Sequence, residues 1–352
     1  MPKSVPLKLG VALTLGASIA ALTACASTDA PAATGGAEGE LDPVTIQLDF
    51  QPRGIHSVFF VADELGFFAE EGIEVEDILT GKSSGETLRL VGSGSGDFGM
   101  ADLPTLAVAR SQDVPVKALA AVNQVSPLAM CTVADRHTLE TPADLEGLTV
   151  GVQSSGSTYV FYKALLAGNG IAPDALTELT VQPPYENYLI TEQVDTVPCY
   201  LDAEVTILEE AAGGEGSLSI LPGSEWGYDT YGTGVFASDE MIENDPELVQ
   251  RFMNAYARGL QYVIDNPAEA AQILADSSPQ LAGNVDLYEK QIQANIDASF
   301  TSADTDANGL GTMTDEKWQS LIDMLAEQQV ITTSPSTSDV QDSTFVNAAS
   351  GK

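Results

Sequence analysis

Residues 44–76 read VTIQLDFQPRGIHSVFFVADELGFFAEEGIEVE. Residues 44–48 alternate apolar and polar side chains and carry the β-branched Val44, Thr45 and Ile46, the pattern of a half-buried strand. Pro52 and Gly54 break it. Residues 56–70 then set out Phe59, Phe60, Leu65, Phe67 and Phe68 as the apolar faces of a helix, which Gly72 ends. Residues 73–76 alternate again as a second strand. Strand, helix and strand in immediate succession predict a βαβ unit and hence a parallel sheet with helices on its faces.

The pattern continues on both sides of that stretch. Residues 84–92 form a short helix with Ser84 as its cap. Residues 97–101 form a third strand, Asp102 opens a helix through Arg110, and residues 116–122 form a fourth strand. The pattern restarts near residue 140. Strands are expected at 148–152, 176–181, 196–200 and 218–221, and helices from Ser157 to about residue 168, at 185–193 and at 203–212. The strand at 235–237 returns to the first half, and helices follow at 246–264, 267–275, 285–298 and 314–328. The fold class is α/β, in two lobes with parallel or mixed sheets. Residues 43–130 and 236–352 form lobe 1 and residues 131–235 form lobe 2. The chain crosses between them near 125–135 and 230–237. A binding cleft belongs where the carboxyl ends of the strands meet.

The chain has 352 residues, with 14 Lys and Arg against 51 Asp and Glu, a formal net charge of −37. Such a surface repels phosphate backbones and excludes general nucleic-acid binding. Hydrophobic residues make up 44% and charged residues only 18%, which excludes a disordered acidic chain. With 3 Cys and 2 His there is no material for a zinc cluster, HExxH or a histidine triad, and no metal or cofactor is expected. GxSxG is absent, and the glycines of 92–97 (GSGSGD) do not stand at a strand-to-helix dinucleotide turn.

The N-terminus reads as an address. Lys3 and Lys8 precede an apolar run at 9–22, too short for a permanent membrane span. Residues 22–25 (LTAC) resemble a bacterial lipobox. The expectation is a signal peptide at 1–24, lipidation of Cys25, and a flexible tether at 25–42. The protein would then be extracytoplasmic and held at the cell membrane.

Several residues compete for the cleft. Asp49 and Phe50 end the first strand, and His56 starts the first helix. Asp102 follows the third strand, where it serves either as a helix cap or as a contact. Ser154, Ser157 and Thr158 lie where a helix begins and offer hydroxyls and N–H groups to an anion or acceptor. Tyr200, Asp202 and Glu204 sit at a strand-to-helix junction. Glu204 is either an acceptor for a ligand amine or a first-turn acid favoured by the helix dipole. Trp226 and Tyr231 either wall the pocket or fill the core, as does Tyr228, with Tyr185 and Tyr188 behind them. Arg53 is the only basic residue near the first loop. Cys131 and Cys199 are read as buried thiols rather than a bridge.

The segments DFQPRGIHSVFFVA and ELGFFAEEGIEVE, then GSGSGDFGMAD, PADLEGLTVGV, QVDTVPCYLDAE and NDPELVQRFMNAYARGLQYVIDNPAEA, resemble the NMT1/THI5-like solute-binding proteins over about residues 44–330. His56 and Tyr200-Leu-Asp-Ala-Glu204 are similar to the pyrimidine-binding branch, with Asp202 where that branch carries Asn. The resemblance implies the type II periplasmic-binding-protein fold, closing by hinge motion around a central cleft. It also implies delivery of an aminopyrimidine thiamine precursor or related N-heterocycle to an ABC permease and its ATPase, by a monomer that is not an enzyme. Sulfonate, taurine or nitrate is the alternative ligand. A more remote alternative is a pyrimidine-synthesising enzyme, which in the wider family works with its own histidine and iron in the cytosol.

Overall fold

The computed structural model describes residues 41–154, 156–182 and 184–351. The signal peptide, Cys25 and nearly all of the tether lie outside the described residues.

Among the described residues ten strands run in chain order: β1 Asp42–Gln47, β2 Ile73–Leu79, β3 Phe98–Asp102, β4 Val116–Ala121, β5 Leu128–Val133, β6 Thr149–Val152, β7 Thr177–Thr180, β8 Val197–Tyr200, β9 Leu218–Pro222 and β10 Thr233–Ser238. The helices are α1 Ser57–Glu64, α2 Phe67–Glu70, α3 Ser84–Gly92, α4 Leu103–Arg110, α5 Ser157–Gly168, α6 Glu186–Ile190, α7 Glu204–Ala212, α8 Asp239–Asn244, α9 Pro246–Asp265, α10 Pro267–Asp276, α11 Val285–Ala298, α12 Ala303–Asn308, α13 Asp315–Glu327, α14 Thr337–Val340 and α15 Thr344–Ala349.

The first sheet has the order β2-β1-β3-β10-β4. Its first three strands are parallel, and β10 runs antiparallel between β3 and β4. The second lobe repeats the plan. β7 and β6 are parallel, a parallel bridge from Val150 to Thr196 leads to β8, and β5 lies antiparallel between β8 and β9. Each lobe is thus completed by a strand that has just crossed from the other. The crossings are residues 122–127 and 223–232, so Leu128–Met130 stand in the second sheet and Thr233–Val235 in the first.

The first core forms where α1 and α9 cover the sheet. Phe252 of α9 stacks on Phe98 of β3 at 3.7 Å, and Phe59, Phe68 and Tyr256 close around the pair. Asp245 caps α9 by accepting from the Leu248 N–H at 3.0 Å. Buried polar side chains pin the crossings. Asn123 donates to Asn295 Oδ1 and Ser299 Oγ, both at 2.8 Å, and accepts from the Thr233 N–H at 3.1 Å.

Four features differ from expectation. Ser83, not Ser84, caps α3, accepting from the Glu86 N–H at 3.3 Å. The helix expected at 56–70 is a 3₁₀ turn, Gly54–His56, followed by α1 and α2, which part at Gly66 with φ +74°. β5 is an additional strand, buried along its whole length, so it shows no alternation. Cys131 and Cys199 form a disulfide. They lie far apart in sequence, but antiparallel pairing of β5 with β8 brings their Cα atoms to 6.0 Å, within bridging range.

Candidate functional site

The loop after β1 builds one wall of the cleft. The close approach of Gly81, where a Cβ would lie 2.2 Å from the Leu48 carbonyl oxygen, lets this loop turn inward. Arg53 grips the Asp49 carboxylate with both terminal nitrogens, at 3.0 and 3.1 Å. The His56 ring is fully buried behind them. Its Nδ1 accepts from the Arg53 N–H at 3.2 Å, which leaves the proton on Nε2 to donate to Asp49 Oδ1 at 2.8 Å. Gly54 N–H donates to Gln291 Oε1 on α11 at 2.8 Å, and Gln291 Nε2 donates to the Ala203 carbonyl of the second lobe at 3.1 Å. One amide therefore ties both walls together.

The second wall comes from the ends of β6 and β8. The Arg53 guanidinium lies over the Tyr200 ring, 5.3 Å from its centre. The Tyr200 hydroxyl shares a 2.5 Å hydrogen bond with Ser157 Oγ at the start of α5. Glu204 Oε2 accepts from the Tyr200 N–H at 2.9 Å, so the carboxylate folds back on its own strand end. Tyr185 donates to Gln153 Oε1 at 2.8 Å. With Phe50, Lys82, Ser83, Ser84 and Thr158, these groups enclose about 40 Å³ between the lobes. A ligand pocket usually measures several hundred Å³.

The electrostatics separate the acids into two kinds. Burial alone would raise Asp49, but Arg53 and His56 hold its carboxyl well below the usual carboxylate range. Burial, helped by the neighbouring guanidinium of Arg53, lowers His56 and keeps it neutral. The other acids lack such a partner. Burial pushes Glu204 up to about 7, Asp202 to about 6 and Asp102 to about 7, against the weaker pull of Arg53 and local donors. The cleft thus holds one tight ion pair, Asp49 with Arg53, and one carboxyl, Glu204, raised by burial, while Asp102 and Asp202 are raised outside the lining.

Of the residues expected at the site, the structure brings together Asp49, Phe50, Ser157, Thr158, Tyr200 and Glu204. The others lie elsewhere. His56 has no exposure and orients Asp49 instead of facing the cleft. Asp102 caps α4, accepting from Thr105 N–H and Oγ1 at 2.9 and 2.5 Å, and its Oδ2 has no partner among the described residues. Asp202 is buried and does not line the cleft, and its Oδ1 has no partner among the described residues. Ser154 is exposed outside the cleft. Trp226 packs on the second-lobe core. Tyr231 is wholly buried against Trp318 and accepts from the Thr314 N–H at 3.0 Å. These aromatics stand near a crossing, where core packing claims them.

Arg53 holds a central place that sequence reading did not give it. The signal was present: Asp49 and Arg53 are opposite charges four residues apart in one short loop, with His56 three residues further on. Lys82 and Ser83 carried a weaker signal, just ahead of a helix. Gln153 carried none.

A family model described as "NMT1/THI5 like" matches residues 54–270. Over 287 residues the chain is 25% identical to the formylaminopyrimidine-binding protein of Halalkalibacterium halodurans, covering 81% of this chain and 85% of that one. It is 26% identical over 248 residues to a 4-amino-5-hydroxymethyl-2-methylpyrimidine phosphate synthase of Legionella pneumophila, covering 70% of this chain and 77% of the other. Among solved structures it is similar to the alkanesulfonate-binding protein SsuA of Xanthomonas axonopodis pv. citri, bound to MOPS. That likeness has a TM-score of 0.64 at 16% identity and covers 86% of this chain and 100% of that one. The fold is the two-lobed type II periplasmic-binding-protein fold.

Proposed function

The chain belongs to the NMT1/THI5-like family, and from that premise we propose that it is an extracytoplasmic solute-binding lipoprotein, lipidated on Cys25. It delivers an aminopyrimidine thiamine precursor, or a related N-heterocycle, to an ABC permease and its ATPase. The charge state of the cleft carries this reading. Its guanidinium is already answered by Asp49, and a further carboxyl, Glu204, stands beside Tyr200. A flat ring with an exocyclic amine needs aromatic walls and an oxygen that accepts from the amine. Phe50, Tyr185 and Tyr200 supply the walls and Glu204 the acceptor. The formylaminopyrimidine-binding relative supports the same ligand class.

The lobes part about residues 122–127 and 223–232, admit the ring and close over it. A monomer suffices for this cycle. The Cys131–Cys199 bridge suits an oxidising compartment outside the cytoplasm. The synthase relative invites an enzymatic reading, but the chain's 2 histidines are both engaged. His56 is held between Arg53 and Asp49, and His137 lies 3.4 Å from Asp195 away from the cleft. Neither offers a ligand a free base.

The hydroxyls of Ser157 and Thr158 at the start of α5 favour a second reading, in which the cleft holds a sulfonate or nitrate. A thermal-shift screen of the full chain separates the two. The panel holds aminopyrimidines, thiamine, flavins, taurine, alkanesulfonates and nitrate. A ligand at 100 times its Kd adds about 2.7 kcal/mol of stability. Stabilisation by aminopyrimidines and not by the anions is expected. Stabilisation by taurine or nitrate alone refutes the ring reading.

A further inference from the structure

We propose that the mouth of the cleft is a second subsite for an anionic arm on the ligand, a phosphate monoester above all. The solute is then an amine-bearing heteroaromatic ring with a negatively charged substituent. The inference rests on the pyrimidine reading above for the ring and adds the arm.

Outside the inner cleft lies a cavity of about 510 Å³. Phe50, Lys82, Ser83 and Gln153 line both spaces, so they are continuous. The outer cavity is built on α3. Glu86 and Arg89 stand three residues apart on α3, and Lys82 lies just ahead of its Ser83 cap; all three line the cavity. Lys82 Nζ lies 3.5 Å from Glu86 with its side chain 84% exposed, so that pairing is weak. Arg89 lines the cavity and has no carboxylate within ion-pair distance among the described residues. The second lobe closes the mouth with the neutral amides of Gln153 and Gln182. Ser83 caps α3 there, so the positive end of the helix faces the same space.

This arrangement runs against the bias of the chain. At a net charge of −37 the default surroundings of a cation are acidic. Another groove of the first lobe shows that default: Asp63, Glu64, Glu76, Asp77 and Asp276 line it, with no basic residue. At the cleft mouth two cations face one acid. A guanidinium free of carboxylate matches phosphate geometry with two parallel donors. The carboxyl group of Glu204 lines the inner space, and Arg89 with the weakly paired Lys82 lines the outer one. A ring with its amine inward and its anionic arm outward matches both.

The test compares two probes on the full chain by calorimetry at about 50 mM salt. They are 4-amino-5-hydroxymethyl-2-methylpyrimidine and its phosphate monoester. The phosphate should bind about tenfold more tightly, and the gap should narrow as salt rises. Arg89→Gln should close most of the gap while leaving the Kd of the alcohol within about twofold, and Arg89→Lys should keep part of it. Arg89 is exposed, so both variants should fold. Equal affinity for the two probes, or equal weakening of both by Arg89→Gln, overturns the subsite and leaves the ring reading standing. Binding of neither probe overturns the ring reading and the subsite with it.

Discussion

Replacing Asp49 by Asn should destabilise the fold by about 3–5 kcal/mol. The carboxylate takes two donors from Arg53 at 3.0 and 3.1 Å and one from His56 at 2.8 Å. Side-chain exposures of 4% for Asp49 and 11% for Arg53 leave little solvent to replace it. An amide keeps the shape and loses the charge. The guanidinium cannot shed its proton, so it stays as a buried cation without a counter-ion. The Tyr200 ring returns at most about 1–2 kcal/mol. Against a total stability of about 5–15 kcal/mol the loss is large. At about 2 °C per kcal/mol for a chain of this size, the melting temperature should fall by roughly 6–10 °C. Urea unfolding should show a lower midpoint with an unchanged slope. The double variant Asp49→Leu with Arg53→Met should recover most of the loss, because a buried pair replaced by apolar side chains is often neutral. A loss below about 1 kcal/mol for Asp49→Asn, or a double variant worse than the sum of the singles, would refute the claim that this pair is a mutually compensated unit.

Glu204→Gln should weaken an amine-bearing ligand by about 1–3 kcal/mol in a calorimetric titration, and unchanged affinity removes Glu204 from the site. Stability should fall as pH rises from 5 to 8. Asp102, Asp202 and Glu204 have folded pKa values of about 7, 6 and 7, above unfolded values of about 4, so the folded state holds the extra protons in that window. His56 opposes them: its folded value is lowered, so its contribution is lost below about pH 6.5. Three carboxyls outweigh one imidazole, and a melting temperature that climbs from pH 5 to 8 contradicts the assignment. Reducing the Cys131–Cys199 bridge, which spans 68 residues, should cost about 4 kcal/mol on the chain-entropy account. Matching urea midpoints with and without reductant would show that the bridge adds nothing.

Much of this architecture is legible because its elements have strong periods. The βαβ opening, the long apolar face of α9 and the restart after residue 140 follow from side-chain spacing. β5 does not, because a strand buried on both faces has no alternation to read. Missing β5 also hides the disulfide, since nothing local says that Cys131 and Cys199 lie on paired strands. In the site, strand ends such as Asp49 and Tyr200 are readable from topology. Which carboxyl faces the cleft is not, because that depends on partners outside the local sequence. His56 is recognisable as special and yet serves Asp49. Asp202 lies two residues from Glu204, yet is buried away from the lining that Glu204 joins.

The register of the sheets explains how one cleft can sense two lobes. Thr233, the first residue of β10, pairs with Asp102, the last residue of β3. Leu128, the first residue of β5, pairs with Tyr200, the last residue of β8. In both lobes the strand arriving from the crossing is bonded to a strand end: Asp102, the cap of α4, in one and Tyr200, in the cleft, in the other. The crossings themselves are anchored by Asn123, which binds both Asn295 and the Thr233 N–H. Asn295 lies one helical turn from Gln291, the amide that joins Gly54 to Ala203 across the cleft. Any rotation about the crossings therefore moves Tyr200 and Asp102 with their strands and strains the Gln291 bridge at the same time. On the proposed binding cycle, contact at Tyr200 and rotation about the crossings are joined through this backbone pairing.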